Sequence, residues 1–146
     1  MFLGTYLVRV TSGSRVSVPS SFRQELGESF ILAKWYEGCL VLIGKSYWEV
    51  LLKRITAGVE TLLTPVREIE RFIFTSAYEM TADEQGRIVI PERLVSYAGL
   101  GGEVYFLGVR DRVEIWNRVS WEEKEKEIAK EAPSYIEELA KKNGKR

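Results

Sequence analysis

The sequence predicts a β-rich α+β fold in which two tandem copies of one unit exchange hairpins within the chain and close into a β-barrel flanked by helices. An arginine, alternating apolar residues and a proline recur 72 positions apart, in residues 15–19 and 87–91. A single copy holds too little apolar surface to outweigh the conformational entropy lost on folding. Two covalently joined copies are therefore expected to form one body, and closure into a barrel removes the exposed edges of short sheets.

Each copy begins with the same succession of short elements. In the first copy we expect a strand at 7–10, a turn at 11–14 and a second strand at 15–18. In the second copy the same elements are expected at 79–82, 83–86 and 87–90. Proline follows each second strand, where it ends the ladder because it has no N–H, and it opens a short helix. The first helix is expected to bury Phe22 and Leu26, and the second Leu94 and Ala98, at helical spacing.

A further hairpin and then helices complete the chain. The hairpin strands are expected at 30–35 and 39–43 in the first copy and at 103–107 and 113–116 in the second. A helical apolar stripe follows Ser46 and comprises Trp48, Leu51, Leu52, Ile55, Val59 and Leu62. Thr64 and Pro65 begin another helix. Ser120 begins the last helix, which Pro133 is expected to interrupt.

These elements predict a division of the chain into four parts. The expected parts are a first repeat at 1–50, a helical connector at 51–76, a second repeat at 77–120 and a C-terminal helical segment at 121–146.

Composition limits the class of protein. The chain has 146 residues, 45% of them hydrophobic and 29% charged, as is typical of a globular protein. A single cysteine, Cys39, excludes an internal disulfide and suits a reducing cytosol. Since neither a secretion signal nor a run of about 18 apolar residues occurs, we expect a cytoplasmic protein with no membrane partner. Because histidine is absent and Cys39 lies in an apolar run, we expect no enzyme, metal or cofactor site.

The repeated motif resembles a known fold and, within it, one family. A strand, a turn ending in Gly-Arg, a strand with alternating β-branched residues and then Ile-Pro with a short helix is similar to the AbrB-type swapped hairpin. Two such copies over residues 2–132, each with a tyrosine and a helix that starts with tryptophan, resemble the MraZ family. That family carries Asp-x-Lys-Gly-Arg in each turn. Residues 83–87 keep its Asp, Gly and Arg, whereas residues 11–15 keep only its Arg.

The resemblance implies a function and an assembly. It implies a sequence-specific DNA-binding regulator of transcription that acts on the division and cell-wall gene cluster, with repression as the expected sign. It also implies binding of short G-rich direct repeats in double-stranded DNA by a closed ring of subunits associated with the nucleoid.

The turns supply the candidate DNA-binding residues, which are Arg9, Gly13, Ser14, Arg15, Gln85, Gly86 and Arg87. Arg15 and Arg87 each follow a tight turn, and the planar fork of arginine pairs with guanine O6 and N7 or with phosphate. The small residues beside them are expected to let the backbone approach the duplex closely. Arg9 is expected to add a phosphate contact. Asp83 is expected to orient the second turn through a local side-chain bond.

Other interpretations remain open at this point. An arginine after a hairpin turn is most often only solvated, and it is the repetition of the motif that favours a DNA role. An AbrB-type antitoxin or global regulator is less favoured, because such chains usually carry one copy. A structural ring scaffold, whose degenerate turns no longer bind DNA, is the alternative from a different class.

The charge balance favours an oligomer. Lys and Arg number 21 and Asp and Glu also number 21, whereas a monomeric nucleic-acid binder is usually basic. A ring of identical subunits compensates, because weakly binding loops then engage adjacent DNA repeats at a high effective concentration. We expect the helices that start near Trp48 and Trp121 to form the contact between subunits, with Ile128 on the second of them.

Overall fold

The computed structural model describes residues 1–56 and 63–144, so the predicted stripe residues Val59 and Leu62 lie outside the described part. The described elements are β1 (Phe2–Arg9), β2 (Arg15–Ser17), α1 (Ser20–Leu26), β3 (Phe30–Lys34), a 3₁₀ turn (Tyr36–Gly38), β4 (Leu40–Gly44), α2 (Lys45–Thr56), α3 (Thr64–Phe74), β5 (Tyr78–Met80), β6 (Arg87–Val89), α4 (Glu92–Ala98), β7 (Glu103–Arg110), β8 (Arg112–Asn117) and α5 (Arg118–Gly144). The same order of strands and helices occurs twice, with α3 between the copies. The mixed α+β class and the flanking helices are therefore confirmed.

The strands form two antiparallel sheets whose pairing runs between the copies. The larger sheet has the order β1-β7-β8-β4-β3-β5, and the smaller one pairs β2 with β6. The first strand of each copy pairs with the third strand of the other, as β1 does with β7 and β5 with β3. A half-turn about an axis that is perpendicular to the sheet and passes between β4 and β8 therefore exchanges the two copies.

A single closed barrel is not found among the described residues, because the six-stranded sheet ends at β1 and β5 and the β2–β6 pair is separate from it. Pro19 and Pro91 account for the short β2–β6 ladder. Each lies two residues beyond its strand, has no N–H to donate and precedes the helix that turns the chain away.

Both faces of the six-stranded sheet are covered. On one face, β2, β6 and the two proline-led helices pack through Val16, Ile88, Phe22 and Leu94, in the larger of two apolar clusters. On the other face, α2 and α3 pack in a second cluster, which includes Trp35, Cys39, Trp48, Leu51, Ile73 and Trp116. Every residue of β4 is buried, as expected of a strand covered on both sides. Burial also raises the pKa of the Cys39 thiol.

The last helix corrects one prediction. Pro133 does not interrupt α5, which runs without a break from Arg118 to Gly144. Proline removes one backbone hydrogen bond and crowds the carbonyl four residues earlier. None of the described α5 residues is fully buried, so water can satisfy that carbonyl. Among the helices of the described residues, none combines the length and apolar character that crossing a bilayer requires.

Candidate nucleic-acid interface

The small sheet brings the two turn arginines to one surface. Arg15 of β2 lies opposite Val89 of β6, which is two residues along the strand from Arg87. Opposed residues share one face of a sheet, so both arginines lie on the outer face, whereas Val16 and Ile88 between them are buried on the inner face. Diagonal neighbours of this kind are about 7–8 Å apart. Both arginines line one open groove of about 510 Å³.

Matching backbone hydrogen bonds close the two turns. Thr11 N–H donates to the Arg15 carbonyl over 2.8 Å, and Asp83 N–H donates to the Arg87 carbonyl over 2.9 Å.

Each turn is also held by the other copy. Val18 N–H donates to the Gly86 carbonyl, and Ile90 N–H donates to the Ser14 carbonyl, both over 2.9 Å. The two turns are thereby fixed with respect to each other as well as to their own strands.

Asp83 organises the second turn. Its Oδ1 accepts hydrogen bonds from the N–H groups of Gln85 (2.9 Å) and Arg87 (2.8 Å), and its Oδ2 accepts one from Arg87 Nε (3.0 Å). The backbone bond from Arg87 is the largest cause that lowers the pKa of the Asp83 carboxyl. Within the described residues, the guanidinium of Arg87 donates from Nε alone, and its two terminal nitrogens have no acceptor. Gln85 is exposed in the turn.

The first turn is built from different residues. Arg15 Nη1 donates to the Ser12 carbonyl over 3.1 Å. The guanidinium lies against Gly13, where an added Cβ would come within 2.7 Å of Nη1. Ser14 has a φ of 57°, the left-handed conformation that Gly86 adopts in the second turn. Gly13, with a φ of 78°, also needs the freedom of glycine.

Two predicted site residues are not part of the exposed surface around Arg15 and Arg87. Arg9 lies opposite Glu103 at the end of β1 and lines a separate groove with Gly102 and Arg118, so it does not join Arg15 and Arg87. Gly86 was expected to let the duplex approach, but it is buried. The absence of a side chain there makes room for an arginine of α1 instead.

That arginine is Arg23, a residue that the sequence patterns did not single out. Its Nε donates to the Val18 carbonyl over 3.0 Å, and a Cβ added to Gly86 would fall 2.5 Å from its Cζ. The available signal was a break in the repeat, since the equivalent position of the second copy is Val95.

The three predicted interface residues differ in what they expose. Trp48 is only 7% exposed and packs edge-to-face on Phe74 within its own chain, with ring centroids 5.7 Å apart. Trp121 packs on Trp116, with centroids 5.4 Å apart. Ile128 is 40% exposed. Of the three, Ile128 therefore has the largest exposed fraction.

The fold and the paired turns define a class of proteins, those with a duplicated α+β chain in which two equivalent β-turns share one surface. The chain matches one family model, described as "MraZ protein, putative antitoxin-like", over residues 1–63 and 73–143. Each matched segment holds one copy of the repeat. The chain belongs to the MraZ family.

Named relatives resemble the chain over most of its length. It is 40% identical over 123 residues to the "Transcriptional regulator MraZ" of Clostridium tetani, covering 84% of this chain and 86% of that one. The protein of the same name from Acetivibrio thermocellus is 40% identical over 140 residues, covering 96% of this chain and 97% of the relative. That from Caldicellulosiruptor saccharolyticus is 39% identical over 142 residues, covering 97% and 96%.

Proposed function

We propose that this protein is a sequence-specific DNA-binding transcriptional regulator that reads DNA with the outer face of the β2–β6 ribbon. The observation that carries the proposal is the register that sets Arg15 and Arg87 diagonally on that face. The major groove of B-DNA, about 12 Å wide, admits a two-stranded β-ribbon. The relatives from Clostridium tetani and Acetivibrio thermocellus are named transcriptional regulators, which supports the regulatory role.

The two arginines are suited to this role in different degrees. Asp83 holds Arg87 through Nε, which leaves the two terminal nitrogens as a preorganised fork for guanine O6 and N7. Arg15 has one terminal nitrogen bound to the Ser12 carbonyl and must release it to present the same fork. We therefore expect Arg87 to contribute more to base discrimination than Arg15.

The proposal includes the relation between the copies. We assign the exchanged pairing of β1 with β7 and of β5 with β3 to an intramolecular swapped hairpin of the AbrB type. The two repeats then occupy residues 1–50 and 77–120, joined by the connector at 51–76 and followed by the helical segment at 121–146.

The proposed assembly is a closed homo-oligomeric ring in the cytoplasm, associated with the nucleoid. A chain with no net charge gains affinity when several ribbons engage neighbouring direct repeats at once. The proposed contact is formed by four of the exposed apolar residues of α5, which are Ile128, Tyr135, Ile136 and Leu139. The proposed target is the division and cell-wall gene cluster, and the proposed effect is repression.

A gel shift with the DNA upstream of that cluster tests the function. We expect a salt-dependent shift that is stronger for a duplex with several direct repeats than for one with a single repeat, because linked ribbons act together. A structural scaffold would give no shift. Equal affinity for the two duplexes would contradict the multivalent part of the proposal.

A further inference from the structure

The side chain of Arg23 reaches from α1 to the second turn of the other copy. Its Nε donates to the Val18 carbonyl over 3.0 Å, which fixes the inner end of the guanidinium. A Cβ added to Gly86 would lie 2.5 Å from Cζ, 2.6 Å from Nη1 and 2.7 Å from Nε. The guanidinium therefore lies directly against the backbone of Gly86, one residue before Arg87.

The outer end of this guanidinium is unused. Within residues 1–56 and 63–144, no carbonyl, carboxylate or hydroxyl accepts a hydrogen bond from the terminal nitrogens of Arg23. Arg23 lines an open groove of about 500 Å³, whose lining also includes Glu28, Thr81 and Ala82. Glu28 makes no ion pair with Arg23. This half-buried guanidinium, which carries a permanent positive charge, therefore has no anionic partner in the part of the chain that the structure describes.

The arrangement exists in only one half of the molecule. The position equivalent to Arg23 is Val95, and the residue equivalent to Gly86 is Ser14, whose side chain would occupy the space that Arg23 uses. The second turn therefore carries the guanidinium of Arg23 as well as that of Arg87, whereas in the described residues the contact equivalent to Arg23 is not formed at the first turn.

We propose that Arg23 binds a backbone phosphate of the DNA beside the base pair that Arg87 reads. This inference rests on the proposed function. A guanidinium that is fixed at Nε and free at both terminal nitrogens matches two oxygens of one phosphate. Since only the second turn has this contact, each subunit binds its repeat in one orientation, as direct repeats require.

The salt dependence of binding tests this role. For each subunit engaged, Arg23→Ala is expected to reduce the slope of log K against log salt by about 0.9, the value for one phosphate contact. Affinity should fall equally for the operator duplex and a scrambled duplex, because a phosphate carries no sequence information. Arg71→Ala is the matched control, because it removes the same single positive charge. Arg71 lies on α3, which packs on the opposite face of the large sheet.

Two further variants separate charge from support of the fold. Arg23→Gln keeps an N–H donor for Val18 but removes the charge, whereas Arg23→Lys keeps the charge. We expect Gln to reproduce the reduced slope and Lys to restore most of it, with thermal unfolding measured for each variant. These two remain informative if the alanine variant does not fold.

The outcomes are distinct. An unchanged slope for Arg23→Gln, alongside lost operator binding for Arg87→Ala, would refute the role of Arg23 and leave the proposed function standing. An equal slope change for Arg71→Ala would refute the role as well. If no duplex binds the unmodified protein, the proposed function fails and the role of Arg23 fails with it.

Discussion

Val16 and Ile88, which occupy the same position in the two copies, lie directly opposite each other in the β2–β6 ladder. A residue that pairs with its own repeat equivalent marks a local two-fold axis. The same axis relates Arg15 to Arg87, so the buried pair beneath the ribbon and the arginine pair above it follow from one register.

The buried pair is expected to stabilise the ribbon. Ile88→Ala removes apolar contacts at a side chain that is 3% exposed, and we expect it to lower the free energy of unfolding by about 2–5 kcal/mol. Val89→Ala is the control, since Val89 is the next residue and is 52% exposed, and it should change stability by less than about 0.5 kcal/mol. Urea denaturation measures both. Equal losses would show that the ribbon does not pack as described.

Gly13 is expected to be needed for the first turn. Gly13→Ala places a Cβ 2.7 Å from Arg15 Nη1 at a φ of 78°, so we expect a loss of stability of about 1–2 kcal/mol and release of Arg15 from Ser12. Gly101→Ala provides the control, because a Cβ there meets nothing within 4 Å. Thermal unfolding of the two variants should differ clearly. A harmless Gly13→Ala would argue that the turn has another conformation in solution.

Asp83 predicts a pH dependence. Its pKa is lowered below the ordinary value of 3.8, chiefly by the Arg87 N–H, so the ionised carboxylate stabilises the fold above that value. This contribution is lost as the pH falls through the lowered pKa. Asp83→Asn should therefore reduce the melting temperature near neutral pH, and the difference from the unmodified protein should shrink below about pH 4. Glu84→Gln, an exposed change in the same turn, should show no such trend. A difference that stays constant with pH would contradict the assignment.

The proposed assembly depends on the apolar surface of α5. Ile128→Asp is expected to dissociate the oligomer and to reduce binding to multi-repeat DNA while sparing binding to a single repeat. Lys126→Gln, two residues earlier and therefore on another side of the helix, is the control, because it lowers the net charge by the same one unit. Light scattering at micromolar concentration measures both. A monomeric unmodified protein would remove the ring from the proposal.

The elements that local chemistry dictates were predictable from the sequence. Proline after an alternating strand marked both β2 and β6, and glycine at 27 and 99 marked the ends of the helices that follow. The β1 strand was predicted to begin at residue 7, but it begins at Phe2. Its first residues pair with β7, and Gly4 lies opposite Gly108. The backbones of the two strands come close together at Gly108, which no local sequence pattern reveals.

The order of the sheet and part of the site were not predictable in the same way. Pairing between strands some 100 residues apart, as in β1 with β7, depends on tertiary packing rather than on local preference. Gly86 was predicted to be open to DNA, because the sequence around the turn does not reveal that a side chain of α1 covers this residue. Arg23 was missed for the same reason, since its importance depends on a contact 63 positions away in the chain.

Titration of a fluorescent operator duplex with the Arg15→Ala/Arg87→Ala protein is the most direct measurement of the central claim. The Lys53→Ala/Arg71→Ala protein provides a control with equal charge, since both of its changes lie on the helices behind the large sheet. We expect the first protein to lose about 1–3 kcal/mol of discrimination between operator and scrambled duplex for each arginine that reads a base, and the control to lose none. Unchanged operator binding by the first protein would show that the ribbon does not read DNA.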